Sequence, residues 1–107
     1  MIMIIIGLIV FFIAFSYAFP FIRVVGDSMF PTYRDGQLLP SMRVTRFVPL
    51  YDGRVYVFRS PDGKTVIKRL AYHDKRKCYF LGDNTTVSHD SRAYGYVDRR
   101  NIVAIVL

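Results

Sequence analysis

Residues 55–72 read Val-Tyr-Val-Phe-Arg-Ser-Pro-Asp-Gly-Lys-Thr-Val-Ile-Lys-Arg-Leu-Ala-Tyr. Two runs rich in β-branched and aromatic residues, Val55–Arg59 and Thr65–Tyr72, flank Pro61-Asp62-Gly63. Proline presets the φ of a turn and glycine supplies the positive φ that closes it, so the stretch predicts a β-hairpin. Within its second strand, a period of two puts Val66, Lys68 and Leu70 on one face and Thr65, Ile67 and Arg69 on the other. Lys68 thus shares a face with two aliphatic side chains. If that face is the core side, the ammonium is desolvated and its pKa falls. A lysine neutral near about pH 7–8 can accept a proton. The plainer alternative is a strand lysine whose stem covers apolar surface while its ammonium reaches water.

Working outward, further short strands alternate with turn signals. Phe21–Val25 reads as a strand ending at Gly26-Asp27-Ser28-Met29, followed by turns at Pro31-Thr32 and Asp35-Gly36. Gln37–Val48 reads as one strand or two, interrupted by Pro40. Lys77–Leu81 pairs back on the preceding strand across His73-Asp74-Lys75-Arg76, and Ile102–Leu107 is a buried final strand. All 8 acidic residues are Asp, a turn and cap former, and Glu, a helix former, does not occur. The folded part is therefore expected to be all-β.

The chain has 107 residues, which suits a single domain. Residues 1–22 carry no charge and are apolar at every position except Gly7, Ser16 and Pro20. As a helix they would extend about 33 Å, against roughly 30 Å of bilayer hydrocarbon. We read 1–22 as a transmembrane anchor and 23–107 as the folded domain. The competing reading, a cleavable leader, rests on the small-x-small triplet Ser16-Tyr17-Ala18. All 15 Lys and Arg follow the apolar segment, and the positive-inside rule taken alone puts the folded part in the cytoplasm.

A net charge of +7 invites a nucleic-acid reading, but the positive residues are scattered. Their one tight cluster, Lys75-Arg76-Lys77, reads as a solvated hairpin tip, suited at most to anionic lipid headgroups. No nucleic-acid partner is expected. Cys78 is alone, which excludes a disulfide within the chain.

Three segments together resemble the type I signal peptidases, membrane-anchored Ser-Lys proteases. Gly26-Asp27-Ser28-Met29-Phe30-Pro31-Thr32 is similar to their G-x-S-M-x-P-T box, and Val66-Ile67-Lys68-Arg69 to the strand that supplies the general base. Gly82-Asp83-Asn84, followed by Ser88-His89-Asp90-Ser91-Arg92 and Gly95, is similar to their G-D-N-x-x-x-S-x-D-S-R box. Each box alone is a weak signal; three in order behind an apolar segment are specific, and they span essentially the whole chain.

The resemblance implies a small β catalytic domain in which Ser28 is the nucleophile and Lys68 its general base. It implies that Ser88 hydrogen-bonds and orients the Lys68 amine, and that Asp90 and Arg92 pair to support that loop. The Ser28 backbone N–H would stabilise the oxyanion. Some members add a hydroxyl two residues before the nucleophile, where this chain has Gly26; Met29 is read as packing. A serine hydroxyl needs a neighbouring base, and Ser-Lys pairs are an established variant of triad logic. Neither a metal nor a cofactor is implied. The implied partners are the lipid bilayer and proteins bearing signal or leader peptides, with small residues one and three positions before the cut. The domain would face the exported side, against the charge rule.

Two features depart from the larger relatives. Only Leu70–Leu81 separates Lys68-Arg69 from Gly82, where those relatives insert a second lobe, and Gly53-Arg54 stands where the family has Gly-Asp. The compact layout is similar to the maturation proteases of nickel-type superoxide dismutase, which makes a dedicated single-client processor the alternative. Other readings are a Ser-His-Asp hydrolase using His73 or His89, a self-cleaving regulator like the SOS-response repressors, and an inactive membrane-anchored β module. His89 and Asp90 are sequence neighbours that point to opposite faces if extended, so one cannot readily orient the other.

Overall fold

The computed structural model describes all residues 1–107. The expected hairpin forms from β3 (Val55–Arg59) and β4 (Thr65–Asp74), paired from Val55 with Arg69 to Arg59 with Thr65. Its turn closes through Ser60 N–H to Lys64 O at 2.8 Å, with Gly63 at φ +83°. Around the hairpin stand β1 (Phe21–Arg23), β2 (Leu38–Arg43), β5 (Lys77–Leu81), β6 (Val97–Asp98) and β7 (Ile102–Val106). They make one seven-stranded sheet in the order β1-β2-β7-β3-β4-β5-β6, antiparallel at every pairing.

Strand β3 lies between β7 and β4 and is buried on both faces. Tyr56 and Phe58 join Leu70, Phe80 and Ile105 in one apolar cluster, while Val55 and Val57 join Met29, Ile67 and Val106 in a second. Alternation of side chains thus lets one strand feed two cores. Pro40 does not interrupt β2. It stands opposite Phe21, at a pair whose bond runs from Ser41 N–H to Pro20 O, so the missing proline donor costs that ladder nothing. The β4–β5 connection is tighter than expected: Asp74 pairs with Lys77, leaving two turn residues, of which Lys75 has φ 52°.

Three elements were not expected. A one-turn helix, α2 (Ser91–Tyr94), begins where the Asp90 side chain accepts the Arg92 N–H. Strand β6 and a 3-10 turn at Arg99–Asn101 precede β7.

The apolar N-terminus is helical over α1 (Ile2–Ala18), 17 residues with no buried side chain. The expected span of 1–22 is therefore shortened at its C-terminal end. Pro20 disfavours helix at the residue before it, and Phe21–Arg23 pair with Leu38–Pro40 instead. At about 1.5 Å per residue α1 extends roughly 26 Å. No helix of the protein is long and apolar enough to cross a membrane. The end of α1 is fastened by Arg43, whose Nε donates to Tyr17 O at 2.6 Å and whose guanidinium lies over the Tyr17 ring.

Candidate active site

Ser28 stands on the turn after β1. Val24 is pinned by its N–H to Gln37 O at 2.8 Å and by Gly36 N–H to its own carbonyl at 2.7 Å. Gly26 then reverses the chain at φ +86°, a conformation that favours glycine, and donates its N–H to Asp35 Oδ1 at 2.9 Å. The absence of a hydroxyl side chain at position 26 follows from that backbone. Phe30 N–H to Asp27 O closes the turn, and Met29 is 1% exposed beneath it in the second core cluster. Met29 therefore packs, as expected, and holds the Ser28 loop onto the sheet.

Lys68 reaches this loop from β4. Its Nζ lies 2.8 Å from Ser28 Oγ, and its second hydrogen bond goes to the carbonyl of Ile67 at 3.2 Å. The residue is 5% exposed, so its ammonium does not reach solvent as a surface lysine's would. Burial pushes the pKa of Lys68 down, and the negative charge of Asp90 opposes this in part. No imidazole is hydrogen-bonded to Ser28 Oγ, although His89 lines one of the clefts beside it. His73 Nδ1 is 2.6 Å from Asp52, and His89 Nε2 is 3.9 Å from Asp62.

The loop after β5 ties the Ser28 turn to the strand that carries Lys68. The Arg69 guanidinium, next to Lys68, donates to both Asp83 oxygens at 2.8 Å, and Thr32 Oγ1 donates to Asp83 Oδ2 at 2.6 Å. Asn84 donates its N–H to Ser28 O at 2.8 Å and its side-chain amide to Asp27 O at 3.1 Å. Gly82 is required by close approach: a Cβ there would lie 1.9 Å from Ser88 Oγ and 2.8 Å from Ser28 O. From the sequence, Asp83 and Asn84 are legible only as part of the third box, with no partner named for either. Their partners lie 14 to 57 residues away, and only the shared boxes hinted at a connection.

Ser88 differs from expectation. Its hydroxyl donates to Asp90 Oδ2 at 2.7 Å rather than engaging the Lys68 amine. The physical reason is the acceptor: Asp90 is a buried carboxylate held by Arg92, and charge-assisted hydrogen bonds are the stronger ones. Arg92 donates to it through Nε at 2.9 Å, Nη2 at 3.0 Å and the backbone at 3.1 Å, and Gly82 N–H adds a bond at 2.9 Å. Burial alone would raise the Asp90 carboxyl, but these hydrogen bonds outweigh it and hold it well below the usual carboxylate range.

A groove runs past the Ser28–Lys68 pair. It comprises two clefts of about 240 Å³ that share Val25, Ser28, Lys64, Val66 and Lys68. One bank is β1 and its continuation, an outer strand paired only with β2. The other is Thr65–Lys68 of β4, which pairs with β3 alone because β5 joins β4 only from Arg69 onward. Two open strand edges therefore flank the pair. The Ser28 N–H has no partner within the protein.

The family described as Peptidase S24-like matches residues 13–106. The chain belongs to the Peptidase S24-like family. That assignment covers the groove, both partners of the Ser28–Lys68 pair and the last turn of α1, and it carries a serine-peptidase type of activity. A search of the curated proteins finds no match.

Proposed function

We propose that this S24-like chain is a membrane-associated serine endopeptidase that removes signal or leader peptides, with Ser28 as nucleophile and Lys68 as general base. The observation that carries the reading is the 2.8 Å approach of Lys68 Nζ to Ser28 Oγ, made by a buried lysine whose pKa is lowered. Neutral Lys68 takes the Ser28 proton as Oγ attacks the scissile carbonyl. The oxyanion meets the Ser28 N–H. The Lys68 ammonium then protonates the leaving amine, and the acyl-enzyme is released by a water that Lys68 deprotonates. Ser88, Asp90 and Arg92 position the loop beside the lysine.

The open edges of β1 and β4 favour an extended peptide that hydrogen-bonds as an added strand. The shallow groove beside Val25 and Val66 favours small side chains next to the cut. The apolar surface of α1, which has no buried residue, favours insertion in a bilayer, where membrane-tethered substrates reach the groove at raised effective concentration. The domain facing the exported side follows from the resemblance of the three boxes to type I signal peptidases. Self-cleavage within one copy is disfavoured, because Ala18 lines a cleft other than the Ser28 groove.

The test is incubation of the purified full chain with a leader-bearing protein that has Ala one and three residues before the junction. A single cut after the second Ala, abolished by Ser28→Ala in a folded variant, is expected. Unchanged turnover by that variant overturns the assignment.

A further inference from the structure

A cleft of about 720 Å³ lies away from the Ser28 groove and shares no residue with it. Arg46, Arg76, Arg99 and Arg100 border it beside Val44 and Thr45, and no carboxylate lines it. The nearest acid is Asp98, 3.2 Å from the Arg100 guanidinium, so four positive charges less one leave the site at +3. Arg99 is held in place by the carbonyls of Thr45 and Val48, which orient its guanidinium without neutralising it. Arg46 lies over the ring of Phe47, itself 80% exposed; neither Arg46 nor Arg76 forms a salt bridge, although the charge of Arg76 is felt at Asp98. Like charges gathered this closely repel one another unless an anion joins them. The planar guanidinium fork matches phosphate oxygens two at a time.

The position of the cleft indicates which phosphate. A neighbouring cleft of about 540 Å³ shares Val44, Thr45 and Ile102 with it and reaches Tyr17, Ala18 and Phe19. The arginines therefore begin where α1 ends. Along this side of the molecule come an exposed apolar helix, then Tyr17 and Phe19, then four guanidinium groups. A bilayer leaflet presents hydrocarbon, interface and headgroup phosphate in that same order.

We propose that the arginine cleft binds the phosphate of an anionic phospholipid headgroup, in an orientation that rests on the proposed insertion of α1 in the bilayer. Helix and cleft form two attachments. A single helix leaves the domain free to rotate over the bilayer, whereas a second contact fixes which side faces it.

The experiment compares vesicles of phosphatidylcholine alone with vesicles of phosphatidylcholine and phosphatidylglycerol, using the full chain delivered from mild detergent and separated by flotation. The wild type is expected to partition more strongly into the anionic vesicles. Arg46→Gln and Arg76→Gln should each lower the anionic-to-neutral partition ratio about fivefold, leaving capture by neutral vesicles and leader cleavage in detergent unchanged. A ratio unaffected by both substitutions, with neutral vesicles still capturing the protein, overturns the cleft and spares the helix. Capture by neither vesicle overturns both. Loss of duplex DNA binding in the variants, with the lipid ratio unchanged, would assign the cleft to nucleic acid and also overturn the proposal.

Discussion

Asp83 and Arg69 meet through two hydrogen bonds of 2.8 Å, and the same carboxylate accepts the Thr32 hydroxyl. Three distant parts of the chain are thereby joined: the loop after Ser28, the strand that carries Lys68, and the loop that carries Ser88. The Arg69 side chain keeps the Asp83 carboxyl below its ordinary value, and Thr32 adds to the effect.

Asp83→Ala should loosen the register between Ser28 and Lys68 without touching either. Arg69 is a third exposed, so the stability cost should be modest, about 1–3 kcal/mol for an abandoned charged partner. The fall in kcat/KM should exceed what the unfolded fraction explains, because misplacement by an ångström costs about a hundredfold. Parallel melting curves and peptide cleavage rates check this. A rate loss that tracks only the unfolded fraction would show that Asp83 does not position the pair.

Ser88 should act through charge. Its hydroxyl donates to Asp90, whose negative charge raises the pKa of the otherwise depressed Lys68. Ser88→Ala leaves Asp90 ionised by Arg92 but with one donor fewer, so more of its field falls on Lys68. The alkaline-rising limb of kcat/KM should move to higher pH, and activity lost near neutrality should return in alkali. Asp90→Asn removes the charge and should move the limb the other way. Equal loss at every pH in Ser88→Ala would contradict this.

Much of the fold was legible because it is written in local patterns. The hairpin around Pro61-Asp62-Gly63 needs only turn chemistry and flanking β-branched runs, and β3 and β5 have the expected bounds. Helix α2 escaped notice because one turn has no periodicity, and its start depends on the Asp90 cap. The length of α1 was overread because hydropathy continues through Phe21 and Ile22, which the sheet claims by pairing with β2. In the site, Lys68 could be suspected from its aliphatic neighbours in the period of two. The Ser88–Asp90 bond and the Asp83 junction could not be suspected that way, since they depend on which acceptor each donor meets in space.

Lys68→Met tests the burial of the amine. The lysine binds its proton less tightly in the fold than in the unfolded chain, where its ordinary value is 10.5. Between the two values the unfolded chain holds more protons, so wild-type stability rises with pH in that window; below it the cost of burying the charge is full and constant. Lys68→Met escapes this cost. Its stability advantage over the wild type should be greatest below the lowered Lys68 value and shrink as the pH rises toward 10.5. Denaturation midpoints at several pH values report it. A difference that stays flat would show that the lysine is not desolvated.

The central claim, a Ser28 nucleophile activated by neutral Lys68, is tested most directly by the pH dependence of kcat/KM for leader cleavage. The account predicts a limb rising with pH and lying below 10.5, set by the lowered Lys68 value. Lys68→Arg, charged at any usable pH, should lose at least about a thousandfold across the profile, while His73→Ala and His89→Ala leave it in place. A limb near about pH 6.5 that His89→Ala abolishes and Lys68→Met preserves would contradict it.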